Sequence, residues 1–583
     1  MAHVPRGWRT TLVLPVVASL AIAGTALAAG SATLISVGSP STPFSQNKQN
    51  EPAIAIDPAN PNIMAAGSND EIDLESCAAG DPTTCPFTPG VGVSGIYFSQ
   101  DGGTSWAQPT YTGWTARGCL GSAKCVPREG PIGTLPNYYE NGLVSDGDPM
   151  LAFGPLPDSS GHFSWNNGAR LYYGNLTSNF SSVRSETAFR GYEAVAVSYT
   201  LDLTKAMNGE NTGWSSPVVV SRQNAALFSD KDGLWVDNAS SSPYFGNVYE
   251  CNVAFRSLGR GGAPEPVMFS RSTDAGSTWS GQIQLSAATD NNQTGGRQGC
   301  QIRTDSHGGV FVFWEGTNVK TGQSVQYMTR SFNGGMTFDQ PRIIAAVVDV
   351  GRFDPATDRA SFDGVAGART DSFPSVDIAN GAPTGTGATN EIVIGWSNGV
   401  TPTGSSGTNE QALVQWSTNG GTTWSTPVNA APATDRPDFP AFAIAPDGSH
   451  LYVTYDNFLQ PWQGDTSQPR LMQGVVRSAA IGTDGVPGSW SDLFRGPTGD
   501  NRGSSQNGLT AGFLGDYNSA MATDTSVAAV WNDVQNAADC SAIDTYRQAL
   551  LDGTTATVPD VVADCPDTFG NTDIYGGVFT PGP

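Results

Sequence analysis

One eight-residue pattern occurs four times in this chain, and it restricts the fold more than any bulk property. Residues 99–106 read SQDGGTSW, 272–279 STDAGSTW, 331–338 SFNGGMTF and 417–424 STNGGTTW. Each is Ser, any residue, Asp or Asn, any, Gly, any, Ser or Thr, then an aromatic. An Asn or Asp side chain can accept backbone N–H bonds inside a tight turn, and glycine takes positive φ without a Cβ clash. The hydroxyls bond locally, and the aromatic anchors the turn into nearby apolar surface. The pattern therefore predicts a repeated β-hairpin turn whose chemistry is structural.

Between these turns run short β-branched and aromatic segments, and no stretch sustains a 3.6-residue period. With Gly 70, Pro 39 and 14 % charged residues, the chain is rich in turns and poor in surface helix. The repeat resembles the Asp box of sialidase-type β-propellers, also called bacterial neuraminidase repeat proteins. That resemblance implies an all-β propeller with each box joining the third and fourth strands of a blade.

Seven strand pairs can be read: 52–57 in the first blade, then 149–153 with 170–174, 232–237 with 247–255, and 300–305 with 309–315. The rest are 374–379 with 391–397, 440–445 with 451–456, and 517–522 with 527–531. The last blade has only DIYGGVF at 573–579 as its third strand, so ATLISVG at 32–38 is expected to complete it and remove an open sheet edge. The expectation is one seven-bladed propeller over 31–583; six blades, as in the sialidases themselves, is the alternative.

The N-terminus is a different object. Arg6 and Arg9 precede the apolar run LVLPVVASLAIAGTALA, which ends in the small-residue triplet Ala26-Leu27-Ala28. This reads as a secretory signal over 1–28, and no later segment is apolar enough to span a bilayer. An even count of cysteines, 8, suits an oxidising compartment. Their spacing predicts Cys77–Cys85, Cys119–Cys125 and Cys540–Cys565 as local disulfides, leaving Cys251 with Cys300. A formal charge of −24 argues against nucleic acid and anionic membranes, and an anionic substrate would need a basic site working against that field. The partner expected is a carbohydrate or glycoconjugate, met by a secreted monomer.

Long segments at 70–94, 111–146, 346–371, 399–410, 496–514 and 533–571 fall on the face where inner strands begin, opposite the repeated turns. Binding is expected there. Aligning the inner strands gives a ring of first residues, Glu51, Asp148, Lys231, Gly299, Phe373, Phe439 and Asp516, with Asp146, Asp230, Asp232, Asp371, Asp438 and Tyr517 beside them. So many carboxyls in one funnel should raise some pKa values, which suits acid/base work. They could also hold a hard cation such as calcium, the one cofactor the ring would suit, or simply cap their own strand starts.

Asp148, Asp232, Asp516, Tyr517 and Glu51 are the catalytic candidates. Arg303, Arg436, Asp438 and Arg369 are the substrate-binding ones. Arg222, Arg297 and Arg502 also sit in loops leading toward inner strands, and the aspartates beside Arg369, Arg436 and Arg502 favour ion pairs between blades. The resemblance implies three arginines on a substrate carboxylate and a nucleophilic tyrosine. Tyr517 could fill the second role with Glu51, Glu250 or Glu315 as its base. The family's Arg-Ile-Pro motif is absent, and its place reads Asn50-Glu51-Pro52. Two readings follow: a secreted exo-glycosidase acting at the funnel, or a non-catalytic glycan- or protein-binding propeller.

Overall fold

The computed structural model describes residues 31–582 apart from 78, 80–84, 86–87, 222–223, 225, 257–264, 288–296, 355–358, 362–367, 401–409 and 462. The expected signal at 1–28, Arg222 and the side chain of Arg297 lie outside the described residues. Seven antiparallel sheets surround one axis as the blades of a β-propeller. Their inner strands are Gln49–Ile56, Met150–Pro157, Phe228–Val236, Arg297–Thr304, Ser375–Ile378, Pro437–Ile444 and Ser519–Ala522, and the other strands follow outward in chain order.

The seventh blade closes as expected. Thr33 and Leu34 pair antiparallel with Gly576 and Tyr575 of Asp573–Phe579, and the Ile35 amide donates to the Ile574 carbonyl at 2.8 Å. Ile35 and Ser36 are fully buried there, so the segment is held by packing as well as by its ladder.

No single core fills the molecule. Each of the seven seams between neighbouring blades has its own apolar cluster. Leu151 and Tyr173 of blade two meet Ile96 and Phe98 of blade one, and Trp531 and Phe579 of blade seven meet Tyr452 of blade six. The remaining seams repeat the arrangement.

The four repeated turns share one hydrogen-bond pattern. In blade three the Ser272 hydroxyl donates to Asp274 at 2.8 Å and accepts from the Gly276 amide at 2.9 Å, while Asp274 accepts from the Thr278 amide at 2.9 Å and its hydroxyl at 2.7 Å. Ser417, Asn419, Gly421 and Thr423 repeat it in blade five, except that the Asn419 amide donates to the Thr423 hydroxyl at 2.8 Å. The glycine is needed: Gly103, Gly276, Gly335 and Gly421 all have φ between 71 and 84°. Trp106, Trp279, Phe338 and Trp424 each pack into the seam with the preceding blade, so the turn staples neighbours together. In blades three, four and five it lies between the third and fourth strands, opposite the face where inner strands begin.

That other face carries the elaborated loops. They include the hairpin of Tyr111–Thr115 with Arg128–Ile132 and the helix Ser541–Leu551. All four expected disulfides form: Cys77–Cys85, Cys119–Cys125, Cys251–Cys300 and Cys540–Cys565. Cys251–Cys300 ties the second strand of blade three to the inner strand of blade four. Among the described residues no helix is long and apolar enough to cross a membrane.

Candidate functional site

The backbone itself marks the ring of first residues. In blades one, three, four and six the inner strand loses register for two residues, between Asn50 and Ala53, Asp230 and Gly233, Gln298 and Gln301, and Asp438 and Ala441. In blade two the same place splits the strand into Leu143–Ser145 and Met150–Pro157. At these bulges Glu51, Asp148, Lys231, Gly299 and Phe439 have φ of 50–62°. For the four that are not glycine this costs on the order of 1 kcal/mol each. Bulges re-aim side chains, and strain of this kind concentrates at functional sites. A proline follows Glu51, Asp148, Phe373 and Phe439, because a bulge has no ladder bond for an N–H to make. That X-Pro recurrence is a sequence signal for the ring.

The ring surrounds an axial cavity of ≈ 100 Å³, room for several water molecules. Asp148, Lys231, Asp232, Asp371, Phe373, Asp516 and Tyr517 line its polar part, and Met150, Leu234, Trp235 and Met521 its apolar part.

Lys231 ion-pairs with Asp516. Arg369 lies 2.8 Å from the other oxygen of Asp516 and 3.1 Å from Glu51, joining blades seven and one. Asn69 donates to Glu51 at 2.7 Å and accepts the Asp148 amide at 2.7 Å. Burial, then the neighbouring Glu51 carboxyl, raise the Asp148 pKa well above the carboxylate range. The two share a hydrogen bond, which favours the protonated form of Asp148. Lys231 is held cationic: burial opposes its charge, but Asp516 and Asp230 raise its pKa on balance.

Tyr517 precedes its inner strand, and its hydroxyl is buried without a protein partner. Burial, with Asp148, Glu51, Asp232 and Asp516 around it, raises its pKa well above 10 and keeps it a phenol. None of the three bases considered for it takes its proton. Glu51 is held by Asn69 and Arg369, Glu250 accepts from Ser270 at 2.7 Å, and Glu315 shares hydrogen bonds with Asp349 and Asp371. Asp232 is 2 % exposed with both oxygens unpartnered, and burial followed by the Glu250 charge push its pKa well up.

Four expected members, Glu51, Arg369, Asp438 and Arg436, are not among the residues that line the cavity, and the expectation of convergence is corrected for them; Glu51 pairs with Arg369, which also pairs with the lining Asp516. Asp438 accepts from Thr370 at 2.6 Å, Ser397 at 2.9 Å and the Phe439 amide at 2.9 Å, which is the strand-capping role. Arg436 donates to the Leu459 carbonyl at 3.3 Å. The bulge also turns Phe439 into a small core with Ala368, Phe458 and Leu514. Arg303 does line the cavity, paired with Asp377 at 3.3 Å and stacked over Trp235 at 4.2 Å. Arg502 pairs with Asp500 as its spacing suggests, whereas Arg369 passes over nearby Asp371 for partners across the ring.

Asn69 was not legible, since it sits on a second strand and nothing like it recurs. Among the described residues no group of three or more His, Cys, Asp or Glu is arranged to hold a metal ion, so the calcium reading finds no ligand set there. Asn175-Leu176-Thr177 fits an N-glycosylation sequon, but the folded chain closes it to modification. Asn175 is fully buried and bonded to Tyr138 and Ser94.

No protein-family model and no curated protein matches the chain. Solved structures similar to it include a Hadza microbial sialidase, 12 % identical, covering 70 % of this chain and 68 % of that one at a TM-score of 0.35. A mutant Trypanosoma rangeli sialidase displaying trans-sialidase activity is 11 % identical over 70 % of this chain and 52 % of its own, at 0.36. A PL25 ulvan lyase is 11 % identical over 83 % and 92 %, at 0.39.

Proposed function

We propose that the protein is a secreted glycoside hydrolase that acts at the axial cavity on the end of a glycan. One observation carries the reading: on one cavity wall Asp148 is buried beside the Glu51 carboxyl, both of which push its pKa up, while Asp516 is held between two cations, Lys231 and Arg369. Glycoside cleavage needs this division, an acid to protonate the leaving oxygen and a carboxylate to meet the developing positive charge. Asp148 is the acid, Asp516 the carboxylate, and the Tyr517 phenol a hydrogen-bond donor to substrate. Glu51 acts through Asp148 by sharing its proton. The apolar leader at 1–28 and the four disulfides support export.

A panel of chromogenic glycosides tests the reading, with Asp148→Asn as the control. Turnover by the parent should fall about 10²- to 10⁴-fold in the variant at unchanged folding. No turnover on any substrate, or equal turnover by Asp148→Asn, rejects it. Glycan binding without turnover would instead favour the non-catalytic propeller, a reading supported by the capping bonds of Asp438.

A further inference from the structure

We infer that the cavity selects a neutral sugar residue rather than one bearing a carboxylate, because Lys231 and Arg303 on its wall and Arg369 beside Asp516 are each already paired with a carboxylate of the protein. The inference rests on the cavity being the glycan site. A carboxylate-selective site needs a guanidinium or ammonium whose donors are free to meet the ligand.

Here Lys231 is committed to Asp516, and Arg369 spans Asp516 and Glu51 at 2.8 and 3.1 Å. Asp230 and Asp148 add further negative or polar neighbours to both cations. Arg303, deeper in the cavity, is engaged by Asp377 and covered by Trp235. Glu51, Asp148, Asp230 and Asp516 thus surround Lys231 and Arg369, and Asp232 and Asp371 line the same cavity. Among the described residues, a ligand carboxylate desolvated there would find each nearby cation already facing a carboxylate and would meet like charge.

The remaining wall suits a neutral ring. Gly299 leaves the blade-four position of the ring without a side chain, and a Cβ there would come within 2.8 Å of the Phe373 ring. Phe373 therefore occupies that slot half-exposed, and it lines the cavity beside Lys231, whose ammonium is 5.3 Å from its centroid. An aromatic face accepts the C–H face of a sugar ring, and Asp148 in its protonated form and the Tyr517 hydroxyl offer hydrogen bonds to neutral hydroxyls.

The experiment pairs binding with turnover. Ligand-observed NMR with neutral monosaccharides, a uronic acid and N-acetylneuraminic acid measures affinity, and the matching 4-nitrophenyl glycosides measure turnover. The parent should bind at least one neutral sugar tenfold or more tightly than either acid. Phe373→Ala should weaken that binding at least fivefold. Asp516→Asn, by releasing Lys231 and Arg369, should narrow or reverse the preference toward the acids. Neutral binding without any turnover sustains the inference and sinks the hydrolase. Tighter binding of an acid by the parent, or no sugar binding at all, overturns the inference. Should Asp516→Asn fail to fold, the parent's ranking and Phe373→Ala still decide.

Discussion

At the scale of single residues the fold and the site draw on opposite uses of the same atoms. In the repeated turns a carboxylate or amide is exposed and bonded to its own backbone. At Asp274 the bonds from Thr278 and Ser272 outweigh the cost of desolvation and hold the turn shut. In the ring, carboxyls are buried against one another and their protons become part of the structure. Replacing Asn419 by Ala should therefore cost on the order of 1 kcal/mol of stability, since it removes the acceptor of the Thr423 amide. It should leave turnover per folded molecule unchanged, because the turn lies on the face away from the cavity. A denaturant melt and a specific-activity assay on the same sample check both halves, and lost turnover at full folding would contradict the assignment of faces.

At the scale of elements, strand pairs were legible because alternating runs end at turn residues, as 440–445 and 451–456 do around Asp447-Gly448. The ring was legible as positions but not as directions. A local bulge decides whether a side chain meets the axis, and it sends Asp438 to Thr370. Partners across the ring, such as Arg369 with Glu51, are 318 residues apart, and no local spacing encodes them. The Cys251–Cys300 pairing was legible because strand order makes blade three and blade four neighbours. It closes a separation of 49 residues, for which chain entropy predicts about 4 kcal/mol of stabilisation. The double replacement Cys251→Ala, Cys300→Ala should lower stability by about that amount, read from the denaturation midpoint. An unchanged midpoint would mean the seam holds without it.

At the scale of the whole molecule the buried carboxyls set a pH dependence. Burial raises Glu250 to about 8, Asp237 and Glu391 to about 7, and Asp73 and Asp573 to about 6, with hydrogen bonds or a charge from Arg117 opposing the shift in all but Glu391. In the unfolded chain such groups titrate near about 4. Between about pH 4 and pH 8 the folded state thus binds more protons than the unfolded one, so stability falls as pH rises through that window. The melting temperature should be higher at pH 5 than at pH 8, and calorimetry finding it flat or rising would count against the burial of these groups.

The pairing of Thr33 and Leu34 with Tyr575 and Gly576 also imposes a timetable. The first strand to emerge during synthesis meets its partner only after some five hundred further residues have been made, and until then blade seven has no outer strand. Six seams can zip in chain order as neighbours arrive, but the last must wait for both ends. Without that segment blade seven would keep a bare outer edge at Asp573–Phe579. Completion of the ring therefore needs residues from both ends of the propeller.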